Sequence, residues 1–479
     1  MARINTNVPA IVAQRTLKTT QRDLQISLER LSSGLRINRG ADDPAGLINS
    51  ESLRAEISGV QKAVSNSQRA MNIIATSEGA LNEVASLLID IQGLIVEIAN
   101  DAAMSDDEKR ANQLQIDSAI ESITRIADTT TFAGRKLLNG SLDYITSGVQ
   151  ASALASVAIT GVQFGTFSYV PVEVAITTSA QKAELQFRNS MATENVTVVV
   201  NGNKGTTTLQ FQASQAVSAM LFAVNLESLA TGVEAYYINS ANPASGIAFR
   251  SVGYGSEQFV SIQALHNGVF ALTDADGDAR IRDEGRDASG TVNGAGITGR
   301  GLDMILNTRT LDLQFTLNEA MGLGSTSFVI TGGGALFQLG PSVNTNQQVN
   351  IGIQSIAATR LGDANLGYLS QIVEGGQFEV SRSTENAHQS SLIVERAIRQ
   401  VAVLRGRLGA FERNVLATNV NSLTITLENL MSSESSIRDT DFAYETSRLT
   451  RAQILVNAGT SVLSIANTTP QSVLALLGG

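Results

Sequence analysis

"DDPAGLINSESLRAEISGVQKAVSNSQRAMNIIATSEGALNEVASLLIDIQGLIVEIAN", residues 42–100, decides how this chain is organised. Asp42 and Asp43 precede Pro44, so a carboxylate N-cap and a proline at the first helical position start a helix there. Apolar residues then recur at Leu53, Ile57, Val60, Val64, Met71, Ile74, Leu81, Ala85 and Leu88, in steps that skip Ser67 and Glu78. That is a coiled-coil-like stripe. The first break falls at Asn100 and Asp101, so one helix of roughly 80 Å is expected at about 1.5 Å per residue. A stripe that long is buried only against other helices or other copies of the chain.

Working outward, Ser105 and Glu108 form a capping box, and Ile116, Ile120, Ile123 and Ala127 give a second amphipathic helix folding back on the first. "DTTTFAGRKLLNG" (128–140) ends it in turn residues. From about 145 to 345 Gly, Thr, Ser and Val dominate. "NVTVVVNGNKGTTTLQF" (195–211) puts Val196, Val198 and Val200 on one face, then a Gly/Asn turn, then Thr207, Leu209 and Phe211, which predicts a hairpin. "SQAVSAMLFAVNLESL" follows as a short helix, and "TSFVITGGGALFQLG" (326–340) predicts a strand pair about a glycine turn.

Helix returns near 383, with Val394, Ile398, Val401, Leu404, Leu408, Phe411 and Val415, then Leu423, Leu427 and Leu430. After "SSIRDTDFA" a last helix, capped by Asp441, carries Leu449, Ala452, Val456, Leu463 and Ala466 until Pro470 is expected to stop it. Its natural partner is the N-terminal stripe Ile4, Val8, Ile11, Leu17, Leu24, Leu28 and Leu31. The chain ends on an apolar cluster that includes Leu474 and Leu477. The fold class is therefore α+β: long antiparallel coiled-coil-like helices from both termini, with a β-rich inserted outer region. A subunit of an assembly is the expectation.

Composition narrows the function. Lys+Arg 34 against Asp+Glu 44 gives a formal charge of -10, against the basic face of a nucleic-acid binder. Cysteine is absent, which excludes disulfides and thiolate metal sites. His266 and His388 lie far apart, and neither belongs to an H-E-x-x-H motif, so no catalysis, metal or cofactor is expected. "DADGDARIRDEG" (274–285) matches the first three ligand positions of an EF-hand loop, but Ala279 and Gly285 replace its glycine and bidentate glutamate. A charged turn is the expected structure. The most apolar helical stretch is broken by Asp90 and Glu97, so no membrane insertion is expected. The first 30 residues lack a secretory h-region.

Four stretches carry a resemblance: "RINTNVPAI", "LERLSSGLRINRGADDPAGLINSESLRAEI", "LRGRLGAFERNVLATNVNSL" and "SESSIRDTDFAYETSRLTRAQILVNAGTSVLSIANTTPQSVLALLGG". They closely resemble bacterial flagellin, at both ends and in the right order. The resemblance implies a structural subunit of the extracellular flagellar filament, polymerising through its terminal helices for swimming motility. It implies an inner core of 1–42 with 438–479, a helical rod of 43–175 with 345–437, and an outward-facing variable domain of 176–344. The inner-core residues would be Ile4, Val8, Ile11, Leu17, Leu24, Leu28, Leu31, Leu449, Val456, Leu463, Leu474 and Leu477. The rod stripe would be Leu53, Ile57, Val60, Val64, Leu81, Leu88, Val401, Leu408, Phe411 and Val415.

Implied partners are other copies of the chain, the flagellar type III export apparatus, an export chaperone at the C-terminal helix, and the filament cap and hook-associated proteins. "IDIQGLIV" (89–96) aligns with the patch read by an animal innate immune receptor, where the family typically has "QRVRELAV". Asp90 and Gln92 stand in place of the arginines and Gly93 in place of the acidic residue, while Leu94 and Val96 persist and Ile89 opens the patch. Weak or absent receptor activation is expected. Two alternatives share the end motifs: a hook–filament junction protein, and a filament protein whose outer domain is an adhesin.

Overall fold

The computed structural model describes residues 6–100, 102–165, 167–265 and 270–477, with side chains through 468. Ile4, His266 and the side chains of Leu474 and Leu477 lie outside the described residues. The chain divides into two compact units. The first holds the chain up to Ala70, Gln338–Gln347 and the chain from Arg413. The second holds Met71–Phe337 and Gln348–Glu412.

In the first unit α1 (Val8–Ser33) starts at an Asn7 cap and ends at Gly34, whose φ of 74° reverses the chain. The helix α2 (Pro44–Ile98) begins here and runs on into the second unit. Its buried residues are Ser50 and then Val60, Ala63, Ser67, Ala70, Ile74, Ser77, Leu81, Val84, Leu88, Ile91, Ile95 and Ile98. From Val60 on the steps alternate three and four without a fault, a heptad seam. Of the expected stripe, Val60, Ile74, Leu81 and Leu88 lie on this seam; Leu53, Ile57, Val64, Met71 and Ala85 are half-buried. The difference has a chemical cause. Ser67 and Ser77 hold core positions because their hydroxyls donate to Ala63 O and Ile73 O at 3.0 Å each. A reading that follows apolar residues alone skips them. By length and composition α2 also contains a window apolar enough to cross a membrane, with mean hydropathy 1.4.

α7 (Thr418–Arg438) and α8 (Phe442–Leu477) complete the first unit. Asn419 donates to Ser67 Oγ at 3.1 Å and to Leu339 O at 2.9 Å, tying α7 to α2 and to the 338–347 loop. The stop expected at Pro470 does not occur. Proline has no N–H, so Ala466 O lacks its donor from four residues on, and the Asn7 amide takes that place, Nδ2 to O 2.8 Å.

In the second unit α3 (Asp106–Thr129) shows the expected capping box and buries Ile116, Ile120, Ile123 and Ala127. α6 (Thr384–Phe411) buries Ala387, Ser390, Ile393, Val394, Ala397, Val401, Leu404 and Leu408, which apart from Ile393 again step by three and four. Gln92 of α2 donates to Ser391 of α6 at 2.8 Å. A π turn over Glu412–Ala417 then inserts one residue into the ladder. Buried Leu416 follows Leu408 on the seam, and Phe411 and Val415 are half-buried.

The middle of the chain carries two β cores. One lies on a five-stranded antiparallel sheet, Ala295–Thr298, Ser289–Val292, Val170–Thr178, Gly324–Gly333, Tyr144–Ser147, and a three-stranded sheet, Asp303–Asn307, Leu311–Leu317, Leu154–Val162. Residue 176, expected to open the outer domain, is therefore inside a strand. The second core lies on Thr273–Asp274, Glu184–Phe187, Ile247–Ser251, Val233–Tyr237 and on Arg282–Glu284, Phe259–Ala264, Val196–Gly202, Thr206–Phe211, under α4 (Val217–Leu226) and the one-turn α5 (Ser228–Thr231). The hairpin has the expected faces: Val196 opposes Phe211, Val198 opposes Leu209 and Val200 opposes Thr207. "TSFVITGGGALFQLG" does form two strands, but Gly324–Gly333 pairs with Val170–Thr178 and Tyr144–Ser147, while Ala335–Gln338 joins Gln348–Ile351. Gly333, at φ 98°, packs so close to Asp143 O that a Cβ there would sit 2.2 Å away. That contact commits the first strand to its neighbour and turns the chain away.

Ile74→Ala, on the seam and fully buried, should cost about 2–5 kcal/mol. Met71→Ala, beside it, should cost less than about 1.5 kcal/mol. Urea unfolding followed by circular dichroism checks the contrast; equal losses would place the seam elsewhere.

Candidate assembly interface

The two chain ends meet as an antiparallel helix pair. Asn7 meets Ala466, Leu17 meets Gly459, Ser27 meets Glu445, and Gly34 O accepts from Thr440 N–H at 2.9 Å. Each helix supplies a heptad row. On α1 it is Ala10, Ala13, Leu17, Thr20, Leu24, Ser27 and Leu31; on α8 it is Glu445, Leu449, Ala452, Val456, Gly459, Leu463 and Ala466. All are buried or half-buried.

Small residues let the helices close. A Cβ at Gly459 would lie 3.2 Å from Leu17 Cδ1, so anything larger pushes the leucine aside. At the other end Glu445 is only 3% exposed. Its Oε1 accepts from Ser27 Oγ at 2.6 Å, and Arg30 and Arg448 lie 3.7 and 3.8 Å from Oε2. A buried carboxylate so partnered fixes which residues face each other, because sliding either helix would strand the charge. The chain reversal is stitched as well: Arg36 N–H donates to Arg438 O at 2.7 Å, and Arg438 pairs with Glu51 at 2.9 Å.

The faces turned away from the seam are apolar too. On α1 Val8, Ile11, Val12 and Leu28 are about half exposed. On α8 Phe442, Tyr444, Ile454, Leu455 and Val462 are exposed, Ile454 by 62%. Apolar side chains repeated along a helix pair in water mark a surface made to be covered.

The structure thus divides the residues read from sequence as polymerising. Leu17, Leu24, Leu31, Leu449, Val456 and Leu463 lie on the seam within the chain, and Val8, Ile11 and Leu28 lie on the exposed face. Sequence reading missed Ala10, Ala13, Thr20, Ser27, Glu445 and Gly459 on the seam, and Ile454, Leu455 and Val462 outside. Extending the seven-residue spacing of Leu17, Leu24 and Leu31 would have found Ala10, and adding the intervening heptad position would have found Ala13, Thr20 and Ser27.

Elsewhere, Ile89, Asp90 and Gly93 are exposed on α2, Leu94 is half-buried, and Gln92 is engaged with Ser391. In the 274–285 turn the Asp274 carboxylate accepts from Asp278 N–H at 2.9 Å and pairs with Arg280 at 3.0 Å. A guanidinium holds the place a cation would take. Among the described residues no cluster of metal-ligating side chains occurs.

A chain whose two ends form one pair, sealed on one side and apolar on the other, is a self-assembling subunit. Comparison with known proteins gives the family. Residues 4–143 match the bacterial flagellin N-terminal helical region, and 392–477 match the bacterial flagellin C-terminal helical region. Over 99% of both chains it is 28% identical to B-type flagellin of Pseudomonas aeruginosa and 28% identical to polar flagellin F of Vibrio parahaemolyticus. It is 29% identical, over 99% of both chains, to flagellin B of Vibrio cholerae. The chain belongs to the bacterial flagellin family.

Ser27→Ala and Glu445→Ala should couple by about 1.5–3 kcal/mol, the range for hydrogen bonds to charged groups. The urea midpoint of filament dissociation for the two single variants and the double variant measures this. Additive losses would mean that the pair does not set the register.

Proposed function

We propose that this flagellin builds the filament by burying the exposed faces of α1 and α8 against neighbouring copies, while the seam between them holds each copy's ends together. The chain is a structural subunit of the extracellular bacterial flagellar filament. What supports the residue-level reading is one observation: apolar side chains occupy both sides of the α1/α8 pair, and only one side is covered within the chain. The driving force is burial at about 25 cal/mol per Å² of apolar area. No bond is made or broken.

In this reading 1–42 with 438–479 forms the filament's inner core, the helices of 43–143 and 345–437 the rod, and the two β cores between them the outward part. Ile4, Leu474 and Leu477 extend the inner-core face. The rod stripe of α2 and α6 is largely buried within each chain, and the outer faces of these helices carry contacts along the filament. Export proceeds through the type III apparatus, with a chaperone on the C-terminal helix before assembly. The cap and hook-associated proteins bound the growing filament.

Ile454→Asp with Val462→Asp should abolish sedimentable filaments at concentrations where the parent chain polymerises, with the far-ultraviolet spectrum of the soluble chain unchanged. Leu474→Asp or Leu477→Asp should do the same. Filaments at the parent critical concentration would remove these faces from the assembly surface. The exposed α2 patch, with Asp90 for a cation, should activate the innate immune receptor weakly or not at all. A reporter-cell assay on purified monomer checks this, and full-strength activation would contradict it.

A further inference from the structure

Pro470 lies inside α8, which continues to Leu477. Proline has no N–H, so the carbonyl four residues back, Ala466 O, loses its helical donor. Asn7 supplies the replacement through Nδ2, 2.8 Å from Ala466 O. The other end of the same amide is used too: Asn7 Oδ1 accepts from Ala10 N–H at 3.1 Å and caps α1. The amide's orientation follows from its partners, since Ala10 offers a donor and Ala466 an acceptor. One planar side chain, held at the start of one helix, fills the gap that a proline opens in the other.

We infer that Asn7 is a positioning residue that lets the last turns of α8 form, and that it does so only once α1 and α8 have paired. The inference rests on the reading of that pair as the assembly apparatus. In an unpaired α8 the Ala466 carbonyl is open and the proline disfavours continuation, so the helix ends before residue 470. The segment Gln471–Leu477, which carries Val473, Leu474, Leu476 and Leu477, then becomes helical only when the first turn of α1 arrives. Pairing of the ends and completion of the tail are one step. The chemistry also explains the choice of side chain: Ser or Asp caps a helix as well as Asn does, but neither presents an N–H at that reach.

Two substitutions separate the donor from the cap. Asn7→Ser keeps an N-cap acceptor and removes the amide donor. Pro470→Ala restores a backbone N–H to Ala466 O and makes the donor unnecessary. Two quantities are read on the full-length chain: the critical concentration for filament growth, and amide hydrogen exchange of residues 471–477 in filaments grown above it. Asn7→Ser should raise the critical concentration about five- to tenfold, the scale of one hydrogen bond. Exchange of 471–477 should speed up with it. In the Pro470→Ala background Asn7→Ser should change the critical concentration by less than about twofold, with tail protection kept. Equal effects in both backgrounds, or an Asn7→Ser filament whose tail is as protected as the parent's, would overturn the inference. Faster tail exchange with an unchanged critical concentration would uphold the role of Asn7 and instead count against the α1/α8 pair as the assembly apparatus.

Discussion

The antiparallel contact between α1 and α8 is the constraint on which the rest depends. It joins residues more than four hundred positions apart, so everything between Gly34 and Thr440 is an excursion from one helix pair. Closing so long a loop costs entropy, and single helices in water are marginal. The pair meets that cost with close packing, Gly459 against Leu17, and with one polar fixture, Glu445 between Ser27 and Arg30. The apolar rows supply attraction but little choice of register; the buried carboxylate supplies the choice. Because the seam uses only one side of each helix, the opposite side is left apolar and open, and that is the side available to other copies.

The same grammar governs the longer helices. The seams of α2 and α6 run in threes and fours with serines, Ser67, Ser77 and Ser390, placed among aliphatic residues. Small polar positions of this kind allow close approach, because each hydroxyl has a carbonyl partner: Ser67 and Ser77 within α2, and Ser390 at Phe378 O. Where the rhythm must change, after Leu408, a single π turn shifts the row by one residue to Leu416. The β-rich middle works differently. The first of its two cores is closed by strands, and the second by strands together with α4. Neither core contains a residue of α1 or α8.

The sequence made some of this legible and hid the rest for identifiable reasons. The 44–98 helix, the Ser105 capping box and the 195–211 hairpin were readable because caps, periodicity and turn residues all pointed the same way. The seam of α2 was blurred because serine counts as polar in a pattern search, although its hydroxyl can bond back to its own helix. On α1 two apolar faces were merged into one stripe, because Val8, Ile11 and Leu28 are as hydrophobic as Leu17 and Leu24. Only the partner helix tells them apart. Pro470 read as a stop, since nothing local reveals that a side chain at position 7 will supply the missing donor. The glycine run at 332–334 gave a turn, but not the fact that its flanking strands join different sheets.

The central claim is that the two ends pair in this register within one chain and remain so in the filament. The chain has no cysteine, so a disulfide can be placed without background. A Cβ at Gly459 lies 3.8 Å from Leu17 Cβ, inside the range of about 3.5–4.5 Å that a disulfide spans. Filaments grown from the Leu17→Cys/Gly459→Cys chain under reduction should, on mild oxidation, form this bond within each chain. They should then yield a faster-migrating monomer on a non-reducing gel. Filaments that form normally but show no intrachain bond, or only chain-to-chain dimers, would contradict the account.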